Sequence, residues 1–560
     1  MERLLPSNQD VLSIRFLLEK AHSEQGHMKL QRSIGLLGLT FVAVSGMLGS
    51  GWLFAPELAA QQAGPAAIIS WGIGGAVMFL IAITFAEVSA MLPVSGGLAR
   101  VPYFSHGNVV SAAMGWTAWI GYTLTAPIEV SAMLQYLSTW APFIQEPGTS
   151  TLTLPGSLIA GVLMVLMVII NAWGVHFFSK INTGLTWIKI VVPAIIILTF
   201  LTTKFEISNF TMQEFSPYGM TGILAGVSTG GVIFAFVGFR HAIDLAGETR
   251  SPHKNIPLAL CLSILFCMVI YAGAQIAFVG AIDPSDVDSG WRNIHMVHDY
   301  GPFAALGTAL GIVWIMSLIY SGAIIAPFGG GLVATGSNAR LTMAMAENNQ
   351  FPRLFAVLSP RGVPLNALVL NWALGFVMLF LINFKHMVTL NGAAIILSLV
   401  AGPIAVFALR KQLPDRARYF QIPAVGLFAA LAFIAGTLTL YWSGWTVIQV
   451  LMPLLAVGLL LFLLMRLITK DKRPLDVKEA LWLIPYLISL TVLSYFGNFG
   501  HGTGLIPFGW DLGIGSAIGL CAFVLASRSR LPDQKTADYV IELEGVHDKT
   551  LNPYAEIEDN

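Results

Sequence analysis

Four ionisable side chains stand in or at the edge of long apolar runs of this chain, where a charge is expensive and is a candidate functional group by default. They are Glu87, Glu129 in Ala126-Pro127-Ile128-Glu129, Lys189 in Thr186-Trp187-Ile188-Lys189, and Arg240 in Val237-Gly238-Phe239-Arg240. Burial disfavours the charged form of a lysine. Lys189 could therefore release and take up a proton as its surroundings open and close, or it could snorkel or merely neutralise a neighbouring carboxylate. Glu129 could bind a proton or pair structurally with Lys189 or Arg240. The guanidinium of Arg240 could hold a ligand carboxylate bidentately, or it could turn to Asp244 at i+4 or to Glu248. Glu87, near the end of its run, reads as a loop-anchoring carboxylate, and Glu248, before the basic Arg250, His253 and Lys254, as a gate anchor.

Two of the same runs are unsuited to a continuous helix. Ser45-Gly46-Met47-Leu48-Gly49-Ser50-Gly51 puts three glycines in mid-run, each costing about 1 kcal/mol against alanine in a helix. Later, Ser228-Thr229-Gly230-Gly231 and Gly238 flank Phe234-Ala235-Phe236. Irregular backbone at membrane depth is tolerated only where it faces protein or a water-filled cavity. N–H groups freed after Gly49-Ser50-Gly51 would bind a carboxylate at the positive end of a half-helix. Freed carbonyls of the other half would accept from an ammonium group, so a zwitterionic amino acid satisfies both. The plainer reading is that these glycines only let helices pack closely.

The elements that must position these groups follow from composition. The 560 residues are 56% hydrophobic and 11% charged with zero formal net charge, and the mean hydropathy is +0.73. Soluble domains are about a quarter charged, so the bilayer is the expected solvent, and neutrality excludes a nucleic-acid partner. Helical spans of roughly 20 apolar residues are expected to start near residues 34, 66, 109, 155, 182, 221, 257, 303, 364, 388, 424 and 445, twelve main spans. Two more are expected near 480–497 and 511–527. The runs are continuous and too long for barrel strands, so the fold class is all-α and polytopic. With the N-terminus inside, only Lys204, Arg292 and Lys385 fall in external loops and Lys189 and Arg240 within spans, leaving the other Lys and Arg of the 30 cytoplasmic. Both termini are then cytoplasmic, with an acidic polar tail over 529–560. The opening MERLLPSNQD lacks the features of a signal peptide, and the mature chain is expected to begin there. Cys261, Cys267 and Cys521 read as small buried hydrophobes; His295 and His298 are spaced for zinc, but no metal or cofactor is expected.

At the broken runs the sequence resembles the amino acid–polyamine–organocation superfamily. Gly46 to Pro56 is similar to its GxxxGSGxFxxP signature, and Ala86-Glu87 with Pro93 and Ser95-Gly96-Gly97 to its second-span motif. Phe234 to Phe239 leads into Ala246-Gly247-Glu248-Thr249, Pro252, Asn255-Ile256-Pro257 and Ala259. Ser337-Asn338-Ala339-Arg340 with Phe351-Pro352, then Pro364, Ala367, Arg410, Pro414, Arg418 and Ile422-Pro423 complete the order. The resemblance implies a five-plus-five inverted-repeat (LeuT-like) core that alternates access around broken helices 1 and 6, within the bacterial inner membrane. Its expected boundaries are a cytoplasmic segment 1–33, a core 34–410, helices 11–12 over 424–468, helices 13–14 over 478–528 and the tail 529–560. It assigns Gly49, Ser50 and Gly51, with Ser45 beside them, to a substrate carboxylate. Phe234, Ala235 and Phe236 go to its amine and cover, Tyr122 to the cavity wall, and Lys189 to the place of a bound sodium ion, with Glu129 as a second proton-coupling candidate. Arg240 stands where relatives vary with substrate.

The function these features imply is proton-coupled symport of an acidic amino acid, with a general look similar to the aspartate–proton symporter branch. The alternatives are an amino acid/amine antiporter whose C-terminal tail plugs the inner vestibule and a permease for neutral amino acids; Arg240 disfavours a polyamine. No HExxH, P-loop or GxSxG signature supports an enzyme, and paired helix breaks argue for an occluded site rather than a channel.

Overall fold

The computed structural model describes residues 32–146, 149, 151–294, 301–309, 311 and 313–547. His295 and His298, the segment before residue 32 and the end of the tail lie outside the described residues. Named elements within them are all helices, and the only extended pairings are two isolated bridges. The first run divides into α1 (Leu36–Met47) and α2 (Gly51–Ala63). After it come α3 (Ala67–Met91), the ten-residue α4 (Gly97–His106), α5 (Asn108–Leu137), α6 (Leu154–Ala172) and α7 (Val175–Thr203). The sixth run divides into α8 (Gly219–Ser228), α9 (Val232–Phe236), a 3-10 turn at Val237–Phe239 and α10 (Arg240–Asp244). Then follow α11 (Pro252–Ala281), α12 (Pro302–Ala309), α13 (Val313–Glu347), α14 (Leu365–Leu381), α15 (Phe384–Leu399) and α16 (Ala401–Gln412). The chain closes with α17 (Val425–Trp442), α18 (Trp445–Thr469), α19 (Val477–Ala480), α20 (Leu483–Phe496), α21 (Trp510–Arg528) and α22 (Asp533–His547).

Eleven helical stretches among the described residues are long and apolar enough to cross a membrane, and α1 and α14 are shorter apolar helices. The 30-residue α5 is not one of the eleven: it carries Thr117, Thr123, Thr125 and Glu129 and is buried around nearly its whole circumference. A helix surrounded by protein can carry polar side chains that a lipid-facing one cannot. It runs along α13 and α15, while α11 packs on α3 and α1. By contrast α18 turns Leu460, Leu464 and Leu467 outward, as a helix bathed by hydrocarbon must.

The expected runs differ from the observed helices at two places with a visible backbone cause. The fifth run begins at Val175 rather than near 182, because Gly174 at φ 106° closes the preceding turn and lets the helix start at once. The run expected from near 303 is split into α12 and α13, with Gly311 at φ 66° between them.

The tail departs further from a merely polar, solvated segment. Asp533–His547 is helical and docks on α4 and α16. Tyr539 stacks on Tyr103 at 4.7 Å, Thr536 Oγ1 donates to Phe104 O at 3.0 Å, and Leu531 N–H to Ser105 O at 3.0 Å. The anchor is the buried carboxylate of Asp476, which accepts from Asn108 N–H and Tyr539 O–H, each at 3.1 Å, and from the Lys535 ammonium. Asp476→Ala is expected to leave those donors without their acceptor, at a cost of about 1–3 kcal/mol. Amide hydrogen exchange across 533–547 should then rise while α5 and α13 stay protected; an unchanged pattern would show that Asp476 is not the anchor.

Candidate functional site

The first helix is interrupted where its glycines cluster. Leu48 leaves helical geometry at ψ 58° and α2 resumes at Gly51. These glycines have no room for a side chain. A Cβ on Gly49 would lie 2.3 Å from Glu129 Oε1, one on Gly51 2.9 Å from Ala235 Cβ, and one on Gly46 3.0 Å from Gly238 O. The break frees Ser50 N–H, which donates to Glu129 Oε2 at 2.7 Å. A carboxylate therefore sits on the freed N–H expected to hold a substrate carboxylate, and it is the protein's own. Ser50 Oγ is buried with no partner. Lys189 Nζ donates to both the carbonyl oxygen and Oγ of Ser45, at 2.5 and 2.9 Å.

In the sixth run α8 ends at Ser228 and Gly231, at φ 80°, starts α9. Phe236 packs at 5.1 Å against Tyr271 and at 5.8 Å against Trp71, turned toward α11 and α3. Phe234 and Ala235 are buried. The hydroxyl of Tyr271 lies 2.5 Å from Met47 O and 3.0 Å from Ala235 O, so one side chain serves carbonyls beside both breaks.

Arg240 opens α10 with its guanidinium 4.2 Å from the centroid of the Tyr122 ring. Nη1 donates to Val237 O at 3.1 Å and Nη2 to Thr125 Oγ1 at 3.2 Å, while Nε is buried without a partner. It makes no ion pair with Asp244 or Glu248. Asp244 instead accepts from the Tyr122 hydroxyl, and its Oδ1 has no partner. Glu248 pairs with Arg340, through Nε to Oε1 and through Nη2 to Oε2 at 3.1 Å. Glu87 accepts from Arg410 Nε and Nη2, both at 2.6 Å, and from Ile422 N–H at 2.8 Å. Two sequence motifs thus close on two others far along the chain.

Glu129 makes no ion pair with Lys189 or Arg240 either. It and Lys189 lie against consecutive glycines of α13: a Cβ on Gly329 would meet Lys189 Nζ at 3.0 Å and one on Gly330 the Glu129 carboxyl carbon at 3.1 Å. Sequence reasoning missed this wall and Tyr271. The triplet Gly329-Gly330-Gly331 was visible as a signal of close approach, whereas nothing distinguished Tyr271 from other aromatics. It also missed Asn391, whose Nδ2 donates to Thr125 Oγ1 at 2.9 Å beside Arg240.

Helices broken inside an apolar bundle, with ionisable side chains gathered at the breaks, define a membrane permease rather than an enzyme. The amino acid permease family model matches residues 34–464, and the chain belongs to this family, within the amino acid–polyamine–organocation superfamily. It is 35% identical over 540 residues, 94% of this chain and 98% of the relative, to the glutamate/serine transporter AimA of Bacillus subtilis. It is 34% identical over 518 residues, 91% and 98%, to the aspartate-proton symporter of the same organism. The branched-chain amino acid permease BcaP, also of Bacillus subtilis, is 24% identical over 78% of this chain and 94% of its own.

Arg340→Ala is expected to strand the buried Glu248 carboxylate and to destabilise the protein by about 3–5 kcal/mol. The readout is the melting temperature of the detergent-solubilised protein, and adding Glu248→Gln should recover part of the loss. A melting temperature equal to wild type would show that the pair carries no net stability.

Proposed function

We propose that the chain takes up an acidic amino acid, aspartate or glutamate, together with protons. One observation carries the reading: the buried guanidinium of Arg240 has no carboxylate within 4 Å among the described residues and rests on an aromatic ring and two neutral acceptors. A cation left in that state is ready for a carboxylate from outside the protein. The two relatives, an aspartate-proton symporter and a glutamate/serine transporter, support the same substrate class. The serine in the second name favours a neutral amino acid as the second reading.

In this reading the substrate's α-carboxylate goes to the N–H groups of Gly49, Ser50 and Gly51 with Ser45 beside them, and its side-chain carboxylate to Arg240. Phe234, Ala235 and Tyr122 enclose it, with Phe236, packed on Tyr271 and Trp71, free to cover it only if it turns. Glu129 must first give up the Ser50 N–H, and Met47 O the Gly49 N–H it accepts at 2.8 Å. A proton on Glu129 removes the charge that makes it a strong acceptor, so protonation and substrate binding favour one another. Lys189, held on Ser45 of the same break, supplies the second proton-coupling group. The proposed architecture is a five-plus-five inverted repeat over 34–410, helices 11–12 over 424–468 and helices 13–14 over 478–528. That makes fourteen spans with both termini cytoplasmic in a bacterial inner membrane, an orientation supported by the asymmetry of Lys and Arg.

The test is uptake of radiolabelled aspartate into liposomes with and without an inward proton gradient. Arg240→Ala is expected to raise the aspartate KM about tenfold or more, the worth of a charge-assisted contact, and to lose the preference over serine. Lys189→Ala should abolish gradient-driven accumulation. Uptake should rise as pH falls, and Glu129→Gln, which cannot change charge, should flatten that dependence. Absence of aspartate uptake together with efflux of a preloaded amine against external amino acid would replace this reading with exchange.

A further inference from the structure

Arg240 and Asp244 are four residues apart on α10, the spacing at which opposite charges on a helix ordinarily meet, and both are buried, at 1% and 0% exposure. In so dry a place a contact pair is favoured strongly over two separated charges. Yet they form no ion pair, and each keeps a polar atom unpartnered, Nε of Arg240 and Oδ1 of Asp244. What engages both is Tyr122 on α5. Its hydroxyl donates to Asp244 Oδ2, and its ring carries the guanidinium at 4.2 Å. Thr125, one turn further along α5, takes Nη2 of Arg240 at 3.2 Å, and Asn391 of α15 holds Thr125 at 2.9 Å. The other nearby cation, Arg340 of α13, is committed to Glu248.

We infer that Tyr122 is a positioning residue that withholds Asp244 from Arg240, so that the guanidinium stays open to the side-chain carboxylate of an acidic substrate. This rests on the reading of Arg240 given above. One tyrosine does two things that a phenylalanine or an alanine cannot do together: it satisfies the aspartate with an O–H and offers the arginine a π-face. Without the hydroxyl, the strongest donor left to Asp244 is its neighbour at i−4. The internal pair then competes with substrate, and the apparent affinity falls by the fraction of molecules in which it has formed.

The double substitution separates this from a packing role. In proteoliposomes, with labelled L-aspartate and L-serine, Tyr122→Phe is expected to raise the aspartate KM about tenfold, as when nine molecules in ten hold the internal pair. The readout is the aspartate KM taken relative to the serine KM of the same variant, which a general loss of transport would not shift. Adding Asp244→Asn to Tyr122→Phe removes the competing charge and should bring the aspartate KM back to within about threefold of wild type. A mere gap left by the hydroxyl would not be repaired by a change at Asp244. A wild-type aspartate KM in Tyr122→Phe, or a double variant no better than the single one, overturns the inference even while Arg240→Ala loses its preference for aspartate. If Arg240→Ala keeps that preference, or the wild type moves neither amino acid, the reading of Arg240 falls and this role of Tyr122 falls with it.

Discussion

A helix interrupted within a bilayer leaves N–H and C=O groups that have no water to turn to, and every such group costs several kcal/mol unless something else pairs with it. The arrangement of polar side chains in this protein follows from that constraint. Ser50 N–H goes to Glu129, Ser45 O to Lys189, Met47 O and Ala235 O to Tyr271, and Val237 O to Arg240. Ionisable and phenolic side chains are buried here because the breaks in the first and sixth helices need donors and acceptors that apolar residues cannot offer. Those side chains are in turn held where two runs of small residues let backbones approach, Gly46 against Gly238 and Gly329-Gly330 against Lys189 and Glu129. A break without the glycines would have no room for its partners, and glycines without the break would have no partners to admit.

The same constraint bears on which buried charges form no contact pair. A buried acid and a buried base ordinarily find each other, yet Glu129 and Lys189 each bind backbone of the first break from opposite sides, and Arg240 and Asp244 are both served by Tyr122. Two buried carboxylates do pair, bidentately and across distant segments, Glu248 with Arg340 and Glu87 with Arg410. The first ties the turn after α10 to α13, and the second ties α3 to α16. Glu129, Lys189, Arg240 and Asp244, which form no such pair, lie at or beside the two helix breaks.

Much of this was legible in the sequence. The breaks were readable because glycine is costly in a helix, and both fall where Gly49-Ser50-Gly51 and Gly230-Gly231 put them. The positions of Lys189, Glu129 and Arg240 were readable because charge in an apolar run is rare. Their partners were not. Sequence spacing offered Asp244 to Arg240 at i+4 and Lys189 to Glu129 by opposite sign, but tertiary placement of Tyr122 and Ser45 decided otherwise. Nor could spacing find Tyr271, since a tyrosine in an apolar run reads as core until its hydroxyl is seen between two carbonyls. The helical form of the tail was hidden for a related reason: its stability comes from Asp476, Tyr103 and Phe104 far upstream, not from its own polar sequence.

The occupancy of the first break bears on energetics. A substrate carboxylate arriving at Ser50 N–H, in the proposed reading, does not gain the full worth of a charge-assisted hydrogen bond, because an equivalent bond to Glu129 must be broken first. The exchange is near balance when both carboxylates are charged, and it tips toward the substrate only when Glu129 becomes a weaker acceptor. An empty anion site would bind more tightly but would respond to protons only through distant groups. A site already filled by an internal carboxylate gives up affinity and in return makes binding depend on the protonation of the one residue that fills it, so in the proposed reading Glu129 ties substrate binding to protons at the break itself.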